Sequence, residues 1–378
     1  MTVRSIRYMV DPPTSCPRAL RGGGGQPQPS CQLDMRQVGL CAFGEILQTA
    51  PTANPFLGVF EGLLVPGEPQ LIWQSNGPGR GVEMRRAFSG MFGRFFARAY
   101  LERYHDFTWF APISGDPTYF SPRVRVTRAS SARIDMPDWL CAAPGILAVA
   151  EAKGSHQKSN LSAGTLPGPI KTADAQIRGV RVQKARMTKG GGLTWVDRSV
   201  KGWAVMSRWG VETPAREPYL FALDPETAGE PLSDEEIAEV VQDIARVHVR
   251  LTLEGLGYTD LLGDPNETAV VRPARARDAV VLHVEGEDES RFLGAVASPF
   301  GLLSLTVSEA QALMPSLPTD IAHQLLFVGY DLEMISRLLQ NEAVSPRHVR
   351  ESDDGTRVGP DGLLVAPLSR VSSIPVSI

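Results

Sequence analysis

Two hydrophobic periods alternate along the chain, and each change of period marks an element. Phe88, Met91, Phe92, Phe95 and Ala99 recur at spacings of three and four. That predicts an amphipathic helix over Arg85–Tyr104. Ile146–Lys153 is apolar at consecutive positions, with Leu147 and Val149 on one face and Ile146, Ala148 and Ala150 on the other. A strand buried on both faces belongs in the middle of a sheet. Phe107–Ile113 and Val124–Asp138 read as strands, the second bent at Ala129-Ser130-Ser131. A Ser/Gly/Pro loop over Gly154–Pro169 leads to a helix over Thr172–Lys184 and then a strand centred on Gly202–Met206.

Ser233 and Glu236 have the spacing of a capping box. Ile237, Val240, Val241, Ile244, Val247 and Leu251 would form the buried face of the helix that follows, with Gly255 and Gly257 ending it. Residues 1–80 are rich in Pro and Gly, with strand-like apolar runs over Leu57–Trp73 broken at Pro66-Gly67. Beyond about residue 265, short strand-like and helical runs alternate. Three regions are therefore expected: 1–80, with short strands; 81–260, carrying the candidate chemistry; and 261–378, a smaller α+β domain. The class is α/β (α+β), with a central mixed sheet flanked by helices.

Composition adds little to this picture, but charge adds more. At 378 residues the chain has room for two or three domains. No apolar run is long enough to span a bilayer, and the first residues lack the apolar core of a secretory signal, so a cytoplasmic location is expected. Cys16, Cys31, Cys41 and Cys141 form no Cys-x-x-Cys pair, and their wide spacing argues against a disulfide framework. The net charge of −4 hides a split. Residues 80–210 hold 21 Lys and Arg against 9 Asp and Glu, and the acidic excess lies outside them. A basic stretch is the electrostatic footprint of a polyanion partner.

Within that stretch Pro137-Asp138 precedes Glu151-Ala152-Lys153, which ends the apolar run, with twelve residues between Asp138 and Glu151. Alternation along a strand puts Glu151 and Lys153 on one face. If Asp138 lies on a neighbouring strand, the two carboxylates and a strand carbonyl such as that of Ala152 meet the oxygen demand of Mg²⁺. The metal would polarise a phosphate and acidify a bound water, while Lys153 orients that water and offsets developing charge. Asp135, three residues before Asp138, is the rival acid. His156 and Lys158 read as loop residues, and His248 as a satisfied core histidine. Trp195, Trp203 and Trp209 read as core aromatics.

These residues resemble the PD-(D/E)XK nuclease superfamily. Pro137-Asp138 matches its Pro-Asp, and Glu151-Ala152-Lys153 its Glu-x-Lys. The order of helix, strands, helix and strand also agrees over about residues 83–210. The resemblance implies a restriction-endonuclease-like core. Asp138, Glu151, Lys153 and Gln176 would be its catalytic residues, with Asp138 and Glu151 as metal ligands for Mg²⁺ or, in its place, Mn²⁺. The family's first-helix acid would be Glu83 or Glu102. The tyrosine that some exonuclease-type members carry four residues after the glutamine is replaced by Val180. The implied activity is hydrolysis of phosphodiester bonds, DNA before RNA, leaving 5′-phosphate and 3′-hydroxyl ends. Restriction or phage defence is the implied setting, with a homodimer as partner; the acidic excess outside residues 80–210 adds a regulatory protein as a further expected partner. The alternative is a non-catalytic interaction protein or nucleic-acid binder on the same fold.

Overall fold

The computed structural model describes residues 3–49, 63–77, 81–129, 134–156, 165–212, 215–258, 261–262, 279–282, 290–298, 301–303, 305–352 and 355–374. It is a mixed α/β structure, and its chain divides into two compact units. One comprises Met1–Cys41 with Val59–Ile244, the other Ala42–Gly58 with Ala245–Ile378. This division differs from boundaries at 80 and 260. The amino-terminal strand is part of the central sheet, and the second cut falls inside a helix.

The first unit contains strands β1 (Val3–Asp11), β2 (Ser30–Asp34), β3 (Ile72–Trp73), β4 (Trp109–Pro112), β5 (Thr118–Ser121), β6 (Val124–Arg128) and β7 (Trp139–Ala143). It continues with β8 (Ile146–Ser155), β9 (Val180–Met187), β10 (Leu193–Ser199), β11 (Lys201–Arg208), β12 (Gly210–Val211), β13 (Tyr219–Leu223) and β14 (Glu230–Pro231). The chain's first four helices are α1 (Met35–Thr49), α2 (Val82–His105), α3 (Gly168–Arg178) and α4 (Asp234–Gly255). The main sheet is mixed, in the order β2-β1-β13-β11-β8-β7-β4, with β8 parallel to β11 and antiparallel to β7. Strand β8 therefore has hydrogen-bonded neighbours on both edges, as its two apolar faces predict. A second sheet runs β14-β10-β9-β6-β5, and β12 pairs with β3.

Helix α2 brackets the span predicted for it. It buries Phe92, Phe95 and Phe96, each contributing roughly 2 kcal/mol on burial. Helices α2 and α3 both pack on β8 and β11. Ser233 and Glu236 make both capping-box bonds at the start of α4: Glu236 N–H donates to Ser233 Oγ at 3.3 Å, and Ser233 N–H to Glu236 Oε2 at 3.1 Å.

Several elements differ from or add to the sequence expectations. The strand expected over Val124–Asp138 ends at Arg128 in the second sheet, and Asp138 instead precedes β7 in the main sheet. The helix expected over Thr172–Lys184 stops at Arg178, with Gly179 N–H bonded back to Ala175 O. From Val180 the burial alternates as strand β9. The strand expected around Gly202–Met206 is β11, and a further strand, β10, precedes it in the second sheet. The region 1–80 supplies β1 and α1, neither of which was predicted. Of the predicted 57–73 strands, residues 57–62 lie outside those described.

In the second unit the strands are β15 (Ala279–Leu282), β16 (Ser290–Ser298), β17 (Gly301–Leu302), β18 (Leu326–Asp331), β19 (Arg350–Glu351), β20 (Arg357–Val358), β21 (Leu363–Pro367) and β22 (Val371–Ile374). They form one sheet in the order β19-β20-β21-β18-β16-β15-β22, with β17 paired to β16. Its helices α5 (Val307–Leu313), α6 (Thr319–Ala322) and α7 (Leu332–Leu339) follow the predicted alternation. A core forms around Phe292, Val296, Phe327, Leu364 and Leu368. Fully buried His248 bonds Gln48 Nε2 through Nδ1 at 2.8 Å and Asp361 Oδ2 through Nε2 at 3.0 Å, the satisfied core histidine expected from its helix face. Among the described residues, no helix is long and apolar enough to cross a membrane.

Candidate functional site

The β7–β8 hairpin positions the two carboxylates. Its register pairs Trp139 with Ala150 and Leu140 with Val149. Gly145, at φ 74°, closes the turn in a conformation that favours glycine. One step beyond Trp139 and Ala150 in this antiparallel register sets Asp138 opposite Glu151. Asp138 Oδ2 accepts from Ala152 N–H at 2.7 Å, and its carbonyl accepts from Ile113 N–H at 2.9 Å. Its Oδ1 is ion-paired with Arg94, whose guanidinium lies 4.4 Å over the Trp139 ring. Asp135 is exposed and does not line the cavity described below, so the geometry selects Asp138 of the two acids.

Glu151 is buried, and its Oε1 is ion-paired with Lys153. Its Oε2 is buried with no hydrogen-bond partner. Burial, and then the charge of Asp138, push its carboxyl up to about 7, against the opposing pull of Lys153 and Arg94. Lys153 Nζ also donates to Gln176 Oε1 at 2.7 Å. Gln176 is buried on α3 beside Ile170, Ala173 and Ile177, and its Nε2 donates to Met136 O at 3.3 Å. The four residues singled out in the sequence thus converge, although they come from a pre-strand turn, a strand and a helix.

A cavity of about 420 Å³ opens over this cluster. Beyond Asp138, Glu151 and Lys153 its lining includes Arg86, Ser89 and Arg94 of α2, and His156 at the end of β8. Backbone brings these elements together. A Cβ on Gly154 would stand 1.5 Å from Ser89 O, and one on Gly93 would stand 2.5 Å from Gly154 N. Only glycine at both positions allows the helix and the strand end to approach this closely.

The expected first-helix acid is not found at the site. Glu83 is exposed in the first turn of α2, and Glu102 bonds Gln37 Nε2 at 3.0 Å and Cys41 Sγ at 3.4 Å. The face of α2 that meets the carboxylates carries Arg94 instead. His156, read as a loop residue, is half-buried in the cavity wall, while Lys158 lies outside the described residues. Trp203 and Trp209 are buried as expected. Trp195 is half-buried, with Arg125 4.1 Å over its ring.

Among the described residues, no three His, Cys, Asp or Glu side chains converge on one point. The available donor set is two carboxylates and backbone oxygen. That set is sufficient for Mg²⁺, which commonly takes one or two carboxylates and keeps its waters. The buried, partnerless Glu151 Oε2 is the atom a cation would satisfy, so the residues fit a hard divalent ion. Comparison with protein-family models, curated proteins and solved structures returns no match for this chain.

Proposed function

We propose that the protein is a metal-dependent nuclease with a restriction-endonuclease-like core, hydrolysing phosphodiester bonds with DNA as the first substrate to test and RNA the second. One observation carries the reading: Asp138 stands opposite Glu151, and Lys153 is tied to both Glu151 and Gln176. Strand β8, central in a mixed sheet and packed by α2 and α3, supports the fold assignment.

Asp138 and Glu151 would hold Mg²⁺ or Mn²⁺. The ion supplies an acidified water and polarises the phosphate. Ala152 N–H and Arg94 together fix the rotamer of Asp138. Lys153 presents its ammonium at the cavity wall, where it orients the attacking water and offsets charge on the pentavalent transition state. Gln176 holds Lys153 in place and is itself anchored on Met136 O.

A second reading rests on a different observation. Both carboxylates already have cationic partners, Arg94 and Lys153, an arrangement that suits a nucleic-acid binder or assembly module that does not cut. Purified protein incubated with plasmid, linear duplex, single-stranded DNA and RNA, in Mg²⁺, Mn²⁺ or EDTA, separates the two. The nuclease reading expects cleavage that needs metal and falls by about 10²-fold or more in Asp138→Ala and Lys153→Ala. Cleavage that persists in EDTA, or in both variants, overturns it. Binding without cleavage under every condition favours the binder.

A further inference from the structure

The cavity continues beyond the carboxylates. Along α2, Arg94 faces Asp138, whereas Ser89 Oγ lies 3.3 Å from His156 Nδ1. The eight residues from Arg94 back to Arg86 span about 12 Å of helix. Arg86 and His156 both line this far part, and Arg216 Nη1 donates to His156 O at 3.0 Å. Arg85 and Arg86 form no ion pair among the described residues. Burial, then the charges of Arg85, Arg86 and Arg216, hold the His156 imidazole below its ordinary range, and among the described residues no carboxylate opposes them. Among the described residues, Arg86 in the cavity wall, with Arg85 and Arg216 acting on the neighbouring half-buried His156, has no ion-paired acid, which makes this end of the cavity positive.

We propose that Arg86, Arg216, His156 and Ser89 form a second anion subsite. It takes a phosphate group of the strand whose scissile phosphate faces Lys153, about one to two nucleotides away. The inference rests on the nuclease reading for its substrate, but its binding chemistry stands alone. A volume of about 420 Å³ exceeds what a single phosphate group fills and lies within the range of small-ligand pockets. Arginine suits the task because its planar fork meets two phosphate oxygens at once. The phosphate could be an internal diester or a terminal monoester, and the chemistry of recognition is shared.

The test is made in EDTA, where binding is separated from cleavage. The full-length protein is titrated with inorganic phosphate and with short single-stranded oligonucleotides bearing a 5′-phosphate, a 3′-phosphate or hydroxyl ends. Calorimetry reports affinity, and the His156 ring resonances report location. The expected result is phosphate binding with a shift of the His156 signals. Affinity should weaken about tenfold or more in Arg86→Ala, which sits at an exposed position, and in Arg216→Ala, with partial recovery in Arg86→Lys. A tighter complex with one phosphorylated end assigns a terminal group, and equal binding of all three oligonucleotides assigns an internal one. Phosphate binding that leaves His156 unshifted, or that is unchanged in folded Arg86→Ala and Arg216→Ala, overturns the subsite. Phosphate binding as expected without cleavage in any metal would instead remove the nuclease reading and leave the subsite standing.

Discussion

Lys153 on strand β8 donates a 2.7 Å hydrogen bond to Gln176 on helix α3, twenty-three residues later in the chain. The bond ties the candidate catalytic strand to the helix that covers it. Gln176 is buried, so neither of its polar ends can turn to solvent if a partner is lost.

Gln176→Leu should therefore act on both stability and turnover. It leaves the Met136 carbonyl without this donor and lets the Lys153 ammonium move, costing about 1–3 kcal/mol of folding stability. Turnover should fall while substrate affinity changes little. Thermal melts with steady-state kinetics check both, and an unchanged kcat in a folded Gln176→Leu protein would refute the positioning role.

Glu151 gives a pH dependence with a definite sign. Its carboxyl is raised in the fold to about 7 from an ordinary 4.5, so the native state holds a proton there that the unfolded chain releases. The stability attached to that proton is complete below about pH 4.5 and is lost as pH rises through about 7. In EDTA, Glu151→Gln should gain stability relative to wild type across that window. Melting temperatures of the two proteins from pH 5 to 8 measure the difference, and parallel curves count against a raised carboxyl.

The same proton competes with a cation. Metal affinity should rise with pH up to about 7 and then level off, with up to one proton released per ion bound near neutrality. Calorimetry with Mn²⁺ in buffers of different ionisation enthalpy counts that proton. A pH-independent affinity would place the metal elsewhere.

Gly154→Ala should be among the most damaging single-methyl changes in the first unit. The added Cβ meets the Ser89 backbone rather than a movable side chain, which puts the cost at about 3 kcal/mol, the upper end of ordinary overpacking. Denaturant midpoints for Gly154→Ala and, as a reference, Gly190→Ala, whose Cβ would meet nothing within 4 Å, give the comparison.

In the second unit, His248→Leu should destabilise by about 3 kcal/mol by leaving the buried polar groups of Gln48 and Asp361 without these bonds. Chemical denaturation followed by tryptophan-free probes of this unit, such as amide exchange, reports the loss.

How much was legible depended on whether one period ran long enough to be read. Strand β8 and the start of α4 were legible because an unbroken apolar run and a capping box are strong local signals. Strand β1 was not, although Ile6, Tyr8 and Val10 alternate. Arg4 occupies the next buried position on that face and breaks the pattern. Strand β7 buries all five residues of Trp139–Ala143 and so has no alternation to detect. That is why Asp138 was assigned to the end of a strand instead of the turn before one. Arg94 was overlooked for a related reason. It and Arg98 lie on inward positions of α2 with their guanidinium groups over Trp139 and Phe110, and charge alone marks such positions as solvent-facing. The two carboxylates meet all the same, because hairpin register, and not strand length, sets Asp138 against Glu151.

The seam at Gly93 and Gly154 is made of main chain on both sides. A wall built from side chains can change rotamer when a ligand arrives, but this one has none to move. No ligand group can enter between α2 and the end of β8, because the two are already in backbone contact. The floor of the cavity at that point is therefore fixed in place, and adjustment to a ligand is left to the side chains around it, such as Arg86 and His156.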